Sequence, residues 1–442
     1  MGSLSLSTTA TQPLVPKIIA KSELTTEDYV RLDRQYAAPA LKSSPLVISR
    51  GQGAYVWDIN RNRYLDFLSM FSVVNQGYSH PRIVSAMIEQ CQNITIVSRA
   101  FHNEHYPLLC QKLCQLLHQD QAFAMNSGSE ATDLAIKLAR KWAYRVKGIA
   151  VDEAVVVTVS GNYHGKTLGP LSASDNEDIR QEFGPFIPGV GPTVDGHTVH
   201  FNSVEDLEHV FRVSAHKMAA VMVECVQGYA GAITADDSYI RALERLCRKH
   251  NVLFIADEVQ SGFGRAGYLM AYEKYNVQPD LVVIGKALTG GVYPMSMVLG
   301  RKEIMSQLRT GQHSSTYSGN PLASAVALAA VDVVLDEALP ARSLRLGELM
   351  KARLCSIRSS HTTLEVTGQG LLCALHLDES HPSGRVTAAR LAALMQQRGV
   401  LAYSVANRLR VAPPLIISEE ELMSGLDVLE KSLHDLVHIE QI

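Results

Sequence analysis

The segments 252-VLFIADEVQSG-262 and 281-LVVIGKALTG-290 decide how this chain folds. Each opens with four or five apolar residues and then turns abruptly polar, at Asp257-Glu258 in the first and Gly285-Lys286 in the second. A short run that is apolar at every position suits a strand covered on both faces, as in a mostly parallel sheet flanked by helices. Two more runs have the same form. Ala154–Val159 leads into Ser160-Gly161-Asn162-Tyr163-His164-Gly165-Lys166, and Ala219–Val223 leads into Glu224. Ligands of open α/β sheets bind beyond the carboxyl ends of the strands. These polar residues are therefore candidates for a single site.

Working outward, strands alternate with helix-length segments from about residue 82 to 318, which predicts a large α/β domain. Residues 50–80 (RGQGAYVWDINRNRYLDFLS and its continuation) alternate and are punctuated by turns, as in a small antiparallel unit. An alanine-rich helix is expected over Pro321–Leu335, followed by helices and strands of a smaller α+β domain. The expected divisions are an N-terminal arm (1–44), the first part of the small domain (45–81), the large domain (82–318) and the rest of the small domain (319–442).

The 442 residues are 46% hydrophobic and 19% charged, enough apolar material for a substantial core. With 41 basic against 44 acidic residues, the net charge of −3 gives no electrostatic case for nucleic acid or an anionic membrane. No apolar run approaches the ~20 residues that span a bilayer. Seven scattered cysteines do not read as a disulfide framework and fit a reducing compartment. The first 22 residues are rich in Ser and Thr but lack Arg, which argues against a transit peptide, so the cytoplasm is expected.

A lysine just past a buried strand is costly as a cation, but burial favours the uncharged amine that attacks an aldehyde. A lysine snorkelling to the surface is the plain alternative for Lys286 alone. Asn126-Ser127-Gly128-Ser129-Glu130 precedes an amphipathic helix with Leu134, Ala135, Leu138, Ala139 and Trp142 on one face. Small residues there open the helix start to a phosphate, although an ordinary N-cap has the same look. Phosphate cradle, buried carboxylate and buried lysine together are what pyridoxal phosphate requires.

These segments, with Gly161–Thr167, Asp257-Glu258-Val259-Gln260-Ser261-Gly262, Gly285-Lys286-Ala287-Leu288, Ser315-Thr316-Tyr317 and Arg410-Val411-Ala412-Pro413-Pro414-Leu415, resemble the class III aminotransferases, most nearly the ornithine aminotransferase branch. The resemblance runs from about residue 45 to 435. It implies a fold-type I transferase that depends on pyridoxal 5'-phosphate and passes an amino group from an amino acid to a 2-oxo acid such as 2-oxoglutarate. It further implies Lys286 as the Schiff-base lysine, Asp257 as partner of the pyridine nitrogen and Gln260 at the phenolic oxygen. Tyr163 would stack on the ring, with His164 as a pocket wall beside it. Ser127, Gly128 and Ser129 would hold the phosphate. Thr316 would reach the partner's phosphate in a homodimer, and Arg410 would bind a substrate carboxylate.

Four positions depart from the ornithine-specific pattern. Leu41 and Phe71 stand where tyrosines are expected, Lys166 replaces an arginine, and Tyr229 replaces the glutamate that masks the C-terminal arginine. An amino donor less polar than ornithine is therefore expected. Racemisation or decarboxylation on the same fold is the alternative. The G-x-G-x-x-G at Gly262–Gly267 lacks the helix and the acid of a nicotinamide site. His102, His105, Cys110 and Cys114 lack zinc spacing, and no metal is expected.

Overall fold

The computed structural model describes residues 24–40, 43–359, 362 and 364–439. Two compact units are present, one formed by residues up to Arg50 with Trp57–Asn62, the other by Gly51–Val56 with Arg63 onward. Within the first, a helix spans Thr26–Tyr36, opened by a reciprocal cap in which the Thr25 hydroxyl accepts the Asp28 N–H and the Asp28 carboxylate accepts the Thr25 N–H. Most of the expected arm, including Leu41, lies outside the described residues.

Among the described residues, the second unit is built on a seven-stranded sheet. Its strands are β1 (Gln121–Met125), β2 (Val155–Val157), β3 (Val190–Gly191), β4 (Met218–Val223), β5 (Leu253–Asp257), β6 (Leu281–Ile284) and β7 (Ser296–Gly300), in spatial order β1-β7-β6-β5-β4-β2-β3. The strand β7 runs antiparallel to both neighbours, and every other pairing is parallel. Strands β4, β5 and β6 are buried at every position. Their side chains alternate between two cores. Ile255 and Val283 pack with Leu134, Leu138 and Trp142 of helix α1 (Gly128–Trp142), whereas Phe254 and Val282 share a core with Tyr239, Ile240 and Leu243 of helix α2 (Asp237–His250). Each fully buried large apolar side chain contributes about 1.5–3 kcal/mol relative to exposure. Burial on both faces is why these strands lack a polar side.

Strands β1, β2, β4, β5 and β6 point the same way, so the loops after them and the start of α1 gather at one edge of the sheet.

Helix α3 (Pro321–Asp336) is capped by Asn320, whose side-chain oxygen accepts the Ala323 N–H at 2.8 Å, and is buried along most of its length. Beyond it, β8 (Leu364–Gln369), β9 (Leu372–Leu377), β10 (Tyr403–Val405) and β11 (Arg408–Val411) form an antiparallel sheet in the order β8-β9-β11-β10. The antiparallel pattern expected over residues 50–80 is seen where Gly53 and Tyr78 bridge antiparallel and the Asp66 N–H donates to the Ala54 carbonyl at 2.9 Å. A parallel neighbour is added from far along the chain, since Arg63–Asp66 also pairs with Val400–Leu401. Alternation along a strand reports which faces are wet, not which way a distant neighbour runs.

Candidate active site

Asp257 ends β5, and its register partner on β6 is Val283, three residues before Lys286. The two residues therefore leave adjacent parallel strands side by side. Lys286 keeps partial exposure, opens a short 3-10 turn and adopts φ of 45°. A non-glycine residue in that region is an outlier of the kind that clusters at functional sites. Burial pushes its amine down from 10.5 to about 8, assisted by Arg410 and opposed by Asp257 and Glu224.

His164 is buried and its Nδ1 lies 2.6 Å from Asp257 Oδ2. Burial works against a charged ring, but the bond to Asp257 and the charges of Asp257 and Glu224 outweigh it and raise the imidazole. The second oxygen of Asp257 accepts the Val259 N–H at 3.1 Å, so the carboxylate is oriented from both sides. Glu224, just past β4, accepts the Tyr163 N–H at 2.8 Å, and burial raises its carboxyl despite the opposing pull of His164. The Tyr163 ring stacks on Tyr229, with centroids 5.0 Å apart and planes 22° apart.

At the start of α1 the Ser127 hydroxyl accepts the Glu130 N–H, while the Glu130 carboxylate takes the N–H groups of Asn126 and Ser127 at 3.0 and 2.8 Å. Ser127 is thus engaged as the helix cap. Gly128 and Ser129 occupy the first two helical positions, whose N–H groups have no acceptor within a helix. They remain for an anion, aided by the helix dipole. Close packing explains two glycines. A Cβ at Gly128 would sit 2.9 Å from Val259 Cγ1, and one at Gly165 would sit 2.2 Å from Ser129 Oγ. Lys166 is exposed, and its N–H reaches Ser129 Oγ at 3.3 Å. Asn126 Nδ2 donates to Ser315 Oγ at 2.7 Å, which brings the Ser315-Thr316-Tyr317 segment to this helix start, with Thr316 itself exposed.

Arg410 lies on β11 and is 7% exposed. It donates to the Gly228 carbonyl, and no carboxylate bonds to it among the described residues. Burial brings it down to about 10, with Glu224 and Tyr403 resisting. The Phe71 ring lies 5.5 Å from its guanidinium carbon, a cation–π distance, and Tyr403 meets Phe71 edge-on at 5.1 Å. Phe71 sits in a run of four non-glycine residues, Ser69–Ser72, with φ of 46°, 48°, 58° and 71°. Each costs about 1–2 kcal/mol, so surrounding bonds must hold the turn. The Asp66 carboxylate accepts the N–H groups of Leu68 and Ser69 at 2.7 and 3.0 Å, and Gln260 Nε2 donates to the Phe71 carbonyl at 3.2 Å.

The donor set fits pyridoxal phosphate. An amine brought toward neutrality, a carboxylate held by a histidine and an anion-accepting helix start stand at the same sheet edge. When bound, that group supplies an aldehyde to take up an amino group and a ring to accept electrons. Sequence reasoning missed Tyr403 and placed Glu224 only among the polar residues at the strand ends. The hairpin register brings Tyr403 in, since its partner there is Arg410 itself.

Residues 36–433 match the family Aminotransferase class-III. Ornithine aminotransferase car2 of Schizosaccharomyces pombe is 44% identical over 418 residues, covering 94% of this chain and 95% of that one. Among solved structures, an ornithine aminotransferase from Toxoplasma gondii, with pyridoxal phosphate partially occupying its active site, superposes with a TM-score of 0.88 at 36% identity, covering 94% and 95%. The acetylornithine aminotransferase of Elizabethkingia anophelis gives 0.82 at 38% identity, covering 94% and 99%.

Proposed function

Because this chain belongs to the class III aminotransferases, which depend on pyridoxal phosphate, we propose that it takes its amino group from a donor less polar than ornithine and grips the donor's α-carboxylate with Arg410. One observation carries this reading: Arg410 faces a carbonyl and an aromatic ring, and no masking carboxylate bonds to it among the described residues. Tyr229 occupies the position expected for a glutamate and is stacked on Tyr163 instead. Phe71 and Lys166 also depart from the ornithine pattern, as does Leu41, which lies outside the described residues. Without the two phenol hydroxyls expected at positions 41 and 71, a second amino group on the donor loses partners, and such mismatches are penalised heavily.

In this assignment Lys286 would hold the cofactor and move the proton at the substrate's α-carbon. Asp257, oriented by His164, would keep the pyridine nitrogen protonated. Gln260 would meet the phenolic oxygen and Tyr163 would cover the ring face, while Gly128 and Ser129 would bind the phosphate. A homodimer completes the site through Thr316 of each partner. In support, Thr316 is exposed in the single chain, as are the apolar side chains of Ile88, Ile94, Phe101, Leu108 and Tyr317. The cytoplasm is the proposed compartment, supported by seven free thiols.

The test is a spectroscopic screen of amino compounds against the holoenzyme, following loss of its cofactor absorbance. Apolar and aromatic α-amino acids should react faster than L-ornithine, and Tyr229→Glu should shift the preference toward ornithine. Turnover of L-ornithine with 2-oxoglutarate at an ordinary metabolic rate, about 10 s⁻¹, would contradict the reading.

A further inference from the structure

The glycine-rich segment 262–267, which fits no nucleotide site, contains a residue that no catalytic role has absorbed. Arg265 is fully buried, yet no carboxylate bonds to it among the described residues. Its Nε and one terminal nitrogen both donate to Asn75 Oδ1, at 3.1 and 2.6 Å, and that second nitrogen also reaches Ser69 Oγ at 3.0 Å. The other terminal nitrogen donates to the carbonyls of Leu371 at 2.9 Å and Pro413 at 2.6 Å. The guanidinium therefore ties the first residue of the left-handed turn to the segment three residues beyond Arg410. Asn75 completes the clamp, since its carbonyl accepts the Leu415 N–H at 2.8 Å and its amide donates to the Phe263 carbonyl at 3.0 Å.

The guanidinium bonds only to neutral oxygens; the carboxylate that favours its charge, Asp66, does not bond to it and instead holds the N–H groups of Leu68 and Ser69 in the same turn. A buried cation is an expensive way to brace a loop. What it braces is specific. The turn carries Phe71, whose ring lies against Arg410 and whose carbonyl accepts Gln260. Four strained residues in succession will not keep that placement unaided.

We infer that Arg265 is a positioning residue for the carboxylate site, setting the distance between the Phe71 turn and the Arg410 strand. The inference rests on the assignment of Arg410 to carboxylate binding. The planar fork matters as well as the charge, because it reaches acceptors on three chain segments at once, which a lysine ammonium cannot match.

The experiment is steady-state kinetics on purified holoenzyme, with cofactor content and Tm measured for each variant. In Arg265→Lys the KM for 2-oxoglutarate should rise about tenfold or more, because small displacements of positioning groups are costly, while kcat and bound cofactor stay within about threefold. Ser69→Ala, which removes one contact and spares the core, should raise KM in the same direction by less. In a Phe71→Ala background the Arg265→Lys change should add little, since the element it positions is already gone. A merely structural arginine would lower Tm and leave KM unchanged, or raise KM equally in both backgrounds; either result overturns the inference. If Arg265→Lys fails to fold, an unchanged KM in Ser69→Ala overturns it. Arg410→Lys runs alongside: an unchanged KM there removes the carboxylate assignment and the inference with it, whereas a raised KM there with a normal KM in Arg265→Lys sinks the inference alone.

Discussion

Mixing cofactor-free enzyme with pyridoxal phosphate across a range of pH reads the amine of Lys286 directly. Burial takes that amine from 10.5 to about 8. At pH 7 an ordinary lysine is uncharged in about one molecule in 3,000, and one titrating near 8 in about one in ten, a difference of roughly 300-fold in the reactive form. Only the uncharged amine attacks an aldehyde. The second-order rate, followed by stopped-flow absorbance, should therefore climb about tenfold per unit at acid pH, bend near 8 and flatten by about pH 9. The sign of a charge change can be checked on the same curve. Asp257 and Glu224 both favour the charged amine, so Asp257→Asn and Glu224→Gln should each move the bend to lower pH. A rate still climbing about tenfold between pH 9 and 10 would show an ordinary, solvated lysine and refute the reasoning. So would a bend that moves upward in either variant.

Other outcomes follow from the same geometry. Arg410→Lys should raise the KM for 2-oxoglutarate by about 10–100-fold, the worth of a hydrogen bond to a charged group, with a smaller change in kcat. Asp257→Asn should lower kcat by on the order of 10²–10³-fold while the protein still folds, because a developing charge loses its counter-charge. Gly165→Ala should weaken cofactor binding in equilibrium dialysis, since its Cβ would press on Ser129 Oγ and the residue holds φ of 132°.

Where the sequence was readable, burial made it so. The cores of β5 and β6 were legible because strands covered on both faces admit only apolar residues, and the polar residues just after them marked the sheet edge. The run Ala154–Val159 is longer than its strand, Val155–Val157, although the Thr158 N–H still reaches the Gly191 carbonyl at 2.9 Å. The strands β1 and β7 escaped notice, and with them the antiparallel member of the sheet. QAFAM and SMVLG are short, and nothing in an apolar run states the direction of its neighbour. The turn at Ser69–Ser72 was illegible for a sharper reason. Left-handed backbone is expected at glycine, and here local bonds to Asp66 with tertiary bonds from Gln260 and Arg265 hold it in four residues with side chains. Arg265 itself was hidden inside a glycine pattern set aside as no nicotinamide site. In the site, Lys286 and Asp257 could be anticipated because charge at the end of a buried strand is costly. Tyr403 could not, since only the hairpin register sets it opposite Arg410.

The most direct measurement is chemical. Reducing the holoenzyme with borohydride and digesting it should leave the cofactor's mass on a single peptide, attached to the amine at position 286, and Lys286→Ala should show neither the adduct nor transamination. Finding the label on a different lysine, or full turnover without that amine, would contradict the account.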